Sequence, residues 1–148
     1  MQLNAEVEIQ AAPELVWQVV SDFQSYPEWN PFITSVSGEL RVGAPLELTL
    51  SQTEGRHAQV RAELTRLEPG RELRWATQLW FRGLFDGDHY FRVEPSNDGA
   101  TRFVQGELVS GVLVKLMTRT LTEHARSFVY MNQALKRRVE RLAAGART

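Results

Sequence analysis

Polar and apolar residues alternate along most of this chain, and then the period changes. Leu3, Ala5, Val7 and Ile9 interleave with Asn4, Glu6, Glu8 and Gln10, the two-residue repeat of a strand buried on one face. Ala11-Ala12-Pro13-Glu14 then reads as a helix start, with Pro13 suited to the first helical position and Glu14 to the positive end of the helix dipole. Leu15, Val16, Val19, Val20 and Phe23 give that helix its buried side. Pro27 and Pro31 limit the next stretch, Ser25–Pro31, to a short helix or turn. Six further strands are predicted at 33–40, 45–52, 57–67, 72–81, 87–94 and 101–110, separated by Gly-, Pro-, Asn- and Asp-bearing turns.

In the last third the apolar positions are Leu113, Met117, Leu121, Phe128, Met131, Leu135, Val139 and Leu142. Steps of three, four and seven are helical, and at roughly 100° per residue they form one stripe less than about 90° wide. His124 lies in that stripe, and Lys115, Arg119, Arg126, Gln133, Lys136 and Glu140 lie off it. Strands followed by one long amphipathic helix predict an α+β domain, with a curved antiparallel sheet closing on that helix. Such a pair leaves room for a ligand between its layers. No repeat or linker divides the chain, so a single domain over residues 1–148 is expected.

Composition narrows the function. There is no cysteine, which removes disulfides and thiolate chemistry and suits a cytoplasmic location. The first residues carry no signal-peptide pattern, and no apolar run approaches a membrane span. The net charge of −1 is divided: residues 113–148 hold eight Lys/Arg against two Glu. Cations late in a helix oppose its dipole and keep its outer face soluble, so no nucleic-acid partner is expected from Lys136-Arg137-Arg138 and Arg141. No phosphate-binding glycine motif or serine-nucleophile motif occurs, and neither a cofactor nor a metal site is expected.

The first chemical candidates are His89 and Glu107. If the loop at 95–100 closes a hairpin, Val93 faces Phe103, Phe91 faces Gln105 and His89 faces Glu107. A carboxylate beside an imidazole suits general acid/base work, and a hydrogen bond that only satisfies two buried polar groups is the plainer reading. His124 offers a donor and an acceptor inside an apolar stripe. Trp29 and Phe32 follow the turn prolines, and either line a cavity or pack the core. By alternation Trp75, Thr77, Leu79 and Phe81 share a face, which makes Trp75 and Phe81 better lining candidates than Trp80. Phe91, Met117, Leu121 and Phe128 complete the expected lining, and Asn132 flanks it.

Several segments resemble the START-like superfamily, also called SRPBCC or Bet v 1-like, whose fold is a helix-grip. They are the opening strand, the stretch from Ala12 to Asp22, the cluster Tyr26-Pro27-Glu28-Trp29-Asn30-Pro31-Phe32 and the closing helix. Gly87–Pro95, Thr101–Glu107 and Met131–Lys136 are similar in type to the bacterial polyketide cyclase/dehydrase-like branch. The resemblance implies about seven strands around the long helix, with one or two short helices after the first strand. It implies a small hydrophobic ligand, whether lipid, polyketide-like or aromatic, and a monomer or homodimer. An enzyme that cyclises or dehydrates such a molecule through His89 and Glu107 is the alternative, and a protein-interaction module the third.

Overall fold

The computed structural model describes residues 1–52, 55–79 and 83–146. Strand β1 (Gln2–Ile9) leads into helix α1 (Pro13–Ser21), a single 3-10 turn at Phe23–Ser25 and helix α2 (Tyr26–Trp29). Strands β2 (Ile33–Ser37), β3 (Pro45–Ser51), β4 (His57–Glu68), β5 (Glu72–Leu79), β6 (Phe85–Pro95) and β7 (Thr101–Ser110) follow. A 3-10 turn at Val114–Met117 then feeds α3 (Thr118–Ala146), 29 residues long. The expected α+β architecture therefore forms, a seven-stranded sheet around one long helix.

The sheet is antiparallel throughout, in the order β1-β7-β6-β5-β4-β3-β2. β2 to β7 run as a meander, and β1 returns to pair with β7 along its whole length, from Gln2 opposite Leu108 to Ile9 opposite Thr101. Its inner face carries Ile9, Leu46, Leu48, Leu64, Leu73, Trp75, Phe91 and Phe103, all buried. Helix α3 lies mainly along β1, with α1 and α2 also packed against it. The middle strands are thus spanned by side chains, chiefly Phe128, Met131, Leu135 and Val139 from the helix stripe.

Two local devices place the residues of interest. Between β6 and β7 the chain turns through Asp98 (φ 57°) and Gly99 (φ 78°), closed by Ser96 N–H donating to the Ala100 carbonyl at 2.8 Å. Asp and Gly tolerate left-handed backbone, so this sequence can make the turn and fix the hairpin register. Beyond α2, the buried Asn30 side chain accepts hydrogen bonds from the N–H groups of Phe32 and Ile33, each at 2.9 Å. That bracket starts β2 and turns Phe32 inward.

Element boundaries depart from expectation mainly at the long helix. The stripe from Leu113 reads as helix, yet residues 114–117 form a 3-10 turn and α3 begins at Thr118. Leu113, Val114 and Met117 are half-buried there, whereas Val112 and Leu116 point outward. At the other end α3 continues through Ala146, and Leu142 lies 43% exposed despite its place in the stripe.

Candidate functional site

The hairpin register is the one that the alternation predicts: Val93 opposite Phe103, Phe91 opposite Gln105 and His89 opposite Glu107. Trp75 on β5 is directly across from His89 on the other side. All seven side chains point to the inner face and are buried. The Trp75 ring stacks on the imidazole of His89, 5.1 Å between centroids and 9° from parallel. Phe91 and Phe128 meet the same imidazole edge-on at 5.0 and 5.1 Å.

Helix α3 closes the site from above. His124 packs edge-on against Phe32 and Phe128, and its Nε2 lies 3.3 Å from Oε2 of Glu107. The other carboxylate oxygen, Oε1, lies 3.9 Å from His89 Nδ1, beyond hydrogen-bond reach. On its far side His89 Nε2 meets Gln105 Oε1 at 3.1 Å. The amide nitrogen of Gln105 in turn donates to Asn132 Oδ1 at 2.8 Å and points to the Phe128 carbonyl at 3.5 Å. The result is a buried polar line, His124–Glu107–His89–Gln105–Asn132, walled by aromatic rings.

Charge along this line follows from burial. Desolvation lowers the pKa of His89 from 6.5 to about 4, overriding the pull of Glu107, so the imidazole is neutral at pH 7. Burial pushes the Glu107 carboxyl upward, but the hydrogen bond from His124 and the electrostatic interaction with the two histidines outweigh it, and its pKa ends below the ordinary value. The site therefore pairs an ionised carboxylate with a neutral imidazole. Gly87 lets that carboxylate approach the β6 backbone closely: a Cβ there would fall 3.0 Å from Glu107 Oε1 and 2.7 Å from Thr77 Oγ1. His124, Thr77, Leu50 and Val60 are only half-buried, so this end of the interior is its more open end.

Of the candidates read from the sequence, Phe32, Trp75, Phe91, His124 and Phe128 gather around His89 and Glu107. Met117 and Leu121 belong to an adjoining apolar cluster with Phe85 and Val109. Trp29 is not among them. Its ring contacts Tyr26, and it lines a hollow of about 190 Å³ with Arg137, Arg138 and Arg141, towards the other end of α3. Phe81 and Trp80 lie outside the described residues. A larger hollow of about 780 Å³ runs across the outer face of the sheet, where Glu63, Ala76, Asp88 and Leu108 form one cross-strand row. Asn132, which flanks the helix stripe, joins the line, and Gln105 is the member that the sequence reading misses, although it carries a usable signal: a polar residue at an inward position between Phe103 and Glu107. Among the described residues no three side chains are placed to hold a metal ion. No described helix is long and apolar enough to cross a membrane.

Residues 1–146 match the family described as polyketide cyclase / dehydrase and lipid transport. The chain belongs to that family. Among solved structures it resembles an aromatase/cyclase from a Streptomyces, with a TM-score of 0.76 and 16% identity over 95% of this chain and 94% of the other. A START superfamily protein from Mycobacterium smegmatis superposes with a TM-score of 0.73 at 22% identity, covering 95% and 98% of the two chains. Norcoclaurine synthase from Thalictrum flavum, solved with dopamine and hydroxybenzaldehyde, gives 0.72 at 14% identity, covering 95% and 87%. At such identities these likenesses speak for the helix-grip fold. No curated protein matches the chain. The family covers both transport and catalysis, so the choice between them rests on the site.

Proposed function

We propose that this protein binds a small hydrophobic, aromatic-bearing molecule between the sheet and α3, with Phe32, Trp75, Phe91 and Phe128 as walls and His89, Glu107 and His124 as its polar contacts. One observation carries the reading: an ionised carboxylate is kept buried at the half-open end of an aromatic interior. Burying an ion is costly, and a fold that needed only a core would be no less stable with an apolar residue there. A ligand would enter between the first turns of α3 and the ends of β3–β5, where half-buried Leu50, Val60 and His124 sit. Met117 and Leu121 border that entrance. Aromatic surfaces supply affinity and the few polar groups supply orientation.

Native mass spectrometry of the protein purified from its own host, followed by extraction under denaturing conditions, tests this. A stoichiometric apolar small molecule is expected. A protein that carries none and shows no saturable binding of apolar probes would end the proposal.

A second reading, a cyclase or dehydratase, is favoured by the juxtaposition of neutral His89 and ionised Glu107. Either could take a proton from carbon beside a carbonyl and return one to a departing hydroxyl, while the aromatic walls fold the substrate. A His89→Gln variant with unchanged turnover on a polyketide-like substrate would remove that role.

A further inference from the structure

The polar line has a direction. Phe128 presents a carbonyl oxygen, an acceptor, 3.5 Å from the Gln105 side chain. Asn132 presents Oδ1, a second acceptor, at 2.8 Å. The backbone carbonyl, which can only accept, calls for the amide nitrogen of Gln105 on that side, with Asn132 Oδ1 turned to match, and this leaves the Gln105 oxygen facing His89. An oxygen can only accept, so His89 Nε2 carries the ring proton and donates it to Gln105. A neutral imidazole holds one such proton. Its Nδ1 is then a bare lone pair, aimed at Glu107 Oε1 from 3.9 Å. Glu107 Oε2 is already taken by His124. Two acceptors thus face each other across 3.9 Å, with no hydrogen between them.

We propose that this pair selects for a ligand that brings a hydroxyl hydrogen, phenolic or enolic, to be shared between His89 Nδ1 and Glu107 Oε1. Gln105 and Asn132 are positioning residues, which hold the imidazole in the one tautomer that leaves Nδ1 free. A carbonyl or ether oxygen in the same place would add a third acceptor and be disfavoured. The inference rests on the interior ligand reading above and adds the chemical class: a flat apolar body with a hydrogen-bond donor, rather than an apolar body alone. A shared hydrogen between two acceptors is an ordinary three-centre arrangement.

The test uses two probes of one shape, β-naphthol and β-naphthyl methyl ether, titrated at neutral pH into the full chain. Nitrogen NMR of the labelled imidazoles is recorded alongside. The naphthol should bind at least about tenfold more tightly, as expected for one hydrogen bond to a charged acceptor. His89 should show a protonated Nε2 and an unprotonated Nδ1. The Gln105→Met variant should lose most of the naphthol preference and mix the tautomers, with the affinity for the ether kept. Equal affinities for the two probes would overturn the hydroxyl selectivity while leaving the interior ligand reading intact. Failure of both to bind would overturn the two together. A wild-type His89 protonated on Nδ1 would reverse the whole line and overturn the inference without recourse to any variant.

Discussion

Neutral, buried His89 makes fold stability depend on pH in a defined window. In the unfolded chain the imidazole titrates at its ordinary 6.5; in the folded protein burial lowers this to about 4. Between those values the unfolded state binds a proton that the folded state refuses. Stability therefore holds above pH 6.5, falls as pH drops through the window, and levels off with respect to this group below about 4. At 1.36 kcal/mol per pKa unit, the difference amounts to a loss of about 3 kcal/mol from this one side chain. That is a large fraction of the 5–15 kcal/mol typical of a domain, so the effect is roughly measurable by urea unfolding at pH 7, 6, 5 and 4. Glu107 contributes separately and lower down: its folded pKa lies below the ordinary carboxylate value, so its share is present above that value and is lost only at still lower pH. The His89→Gln variant keeps a hydrogen-bonding group of similar size and should flatten the curve between pH 6.5 and 4.5, whereas His57→Gln, at an exposed position, should leave the slope as in the wild type. The same slope in wild type and His89→Gln would refute the argument.

Three further outcomes follow from the packing. Phe128→Ala removes a fully buried ring that touches Phe32, His89 and His124, and should lower stability by about 3–5 kcal/mol in denaturant titration. Asn30→Ala leaves the N–H groups of Phe32 and Ile33 without their acceptor in a buried place; a loss of about 2–4 kcal/mol is expected, with faster amide exchange at these two residues. Gly106→Ala would put a methyl against the Tyr90 ring and 2.9 Å from the Leu3 carbonyl, where only side-chain and strand movement can admit it, so thermal unfolding should report a loss of about 1–3 kcal/mol.

What the sequence discloses here is set by distance along the chain. His89 and Glu107 are joined by one short hairpin, and the turn residues Asn97-Asp98-Gly99 count out their register, so the pair is legible before any coordinates. The pairing of β1 with β7 is not, because alternation marks a strand and its buried face but names no partner. Trp29 illustrates a second limit: an aromatic after a turn can swing to either end of a helix, and the Asn30 bracket that sends Phe32 inward while Trp29 shares a hollow with Arg138 and Arg141 is a three-dimensional device. The role of Gln105 depends on which amide atom faces which neighbour, and that in turn depends on a helix carbonyl 23 residues away.

The closure of the sheet by β1 has a bearing on how the chain is made. Both surfaces that cover β1, the strand β7 and the helix α3, are synthesised long after it. At about 5–20 residues per second, the intervening hundred or so residues take on the order of 5–20 s to emerge. Through that interval β2 to β7 can assemble by successive local hairpins, while the first strand waits with its backbone unpaired. Its alternating Glu6 and Glu8 then act as gatekeepers, since like charges on one face discourage premature pairing with other nascent copies. Completion of the fold is a late, long-range event in which β1 meets β7 and α3, and refolding from denaturant should be slow for a protein of this size.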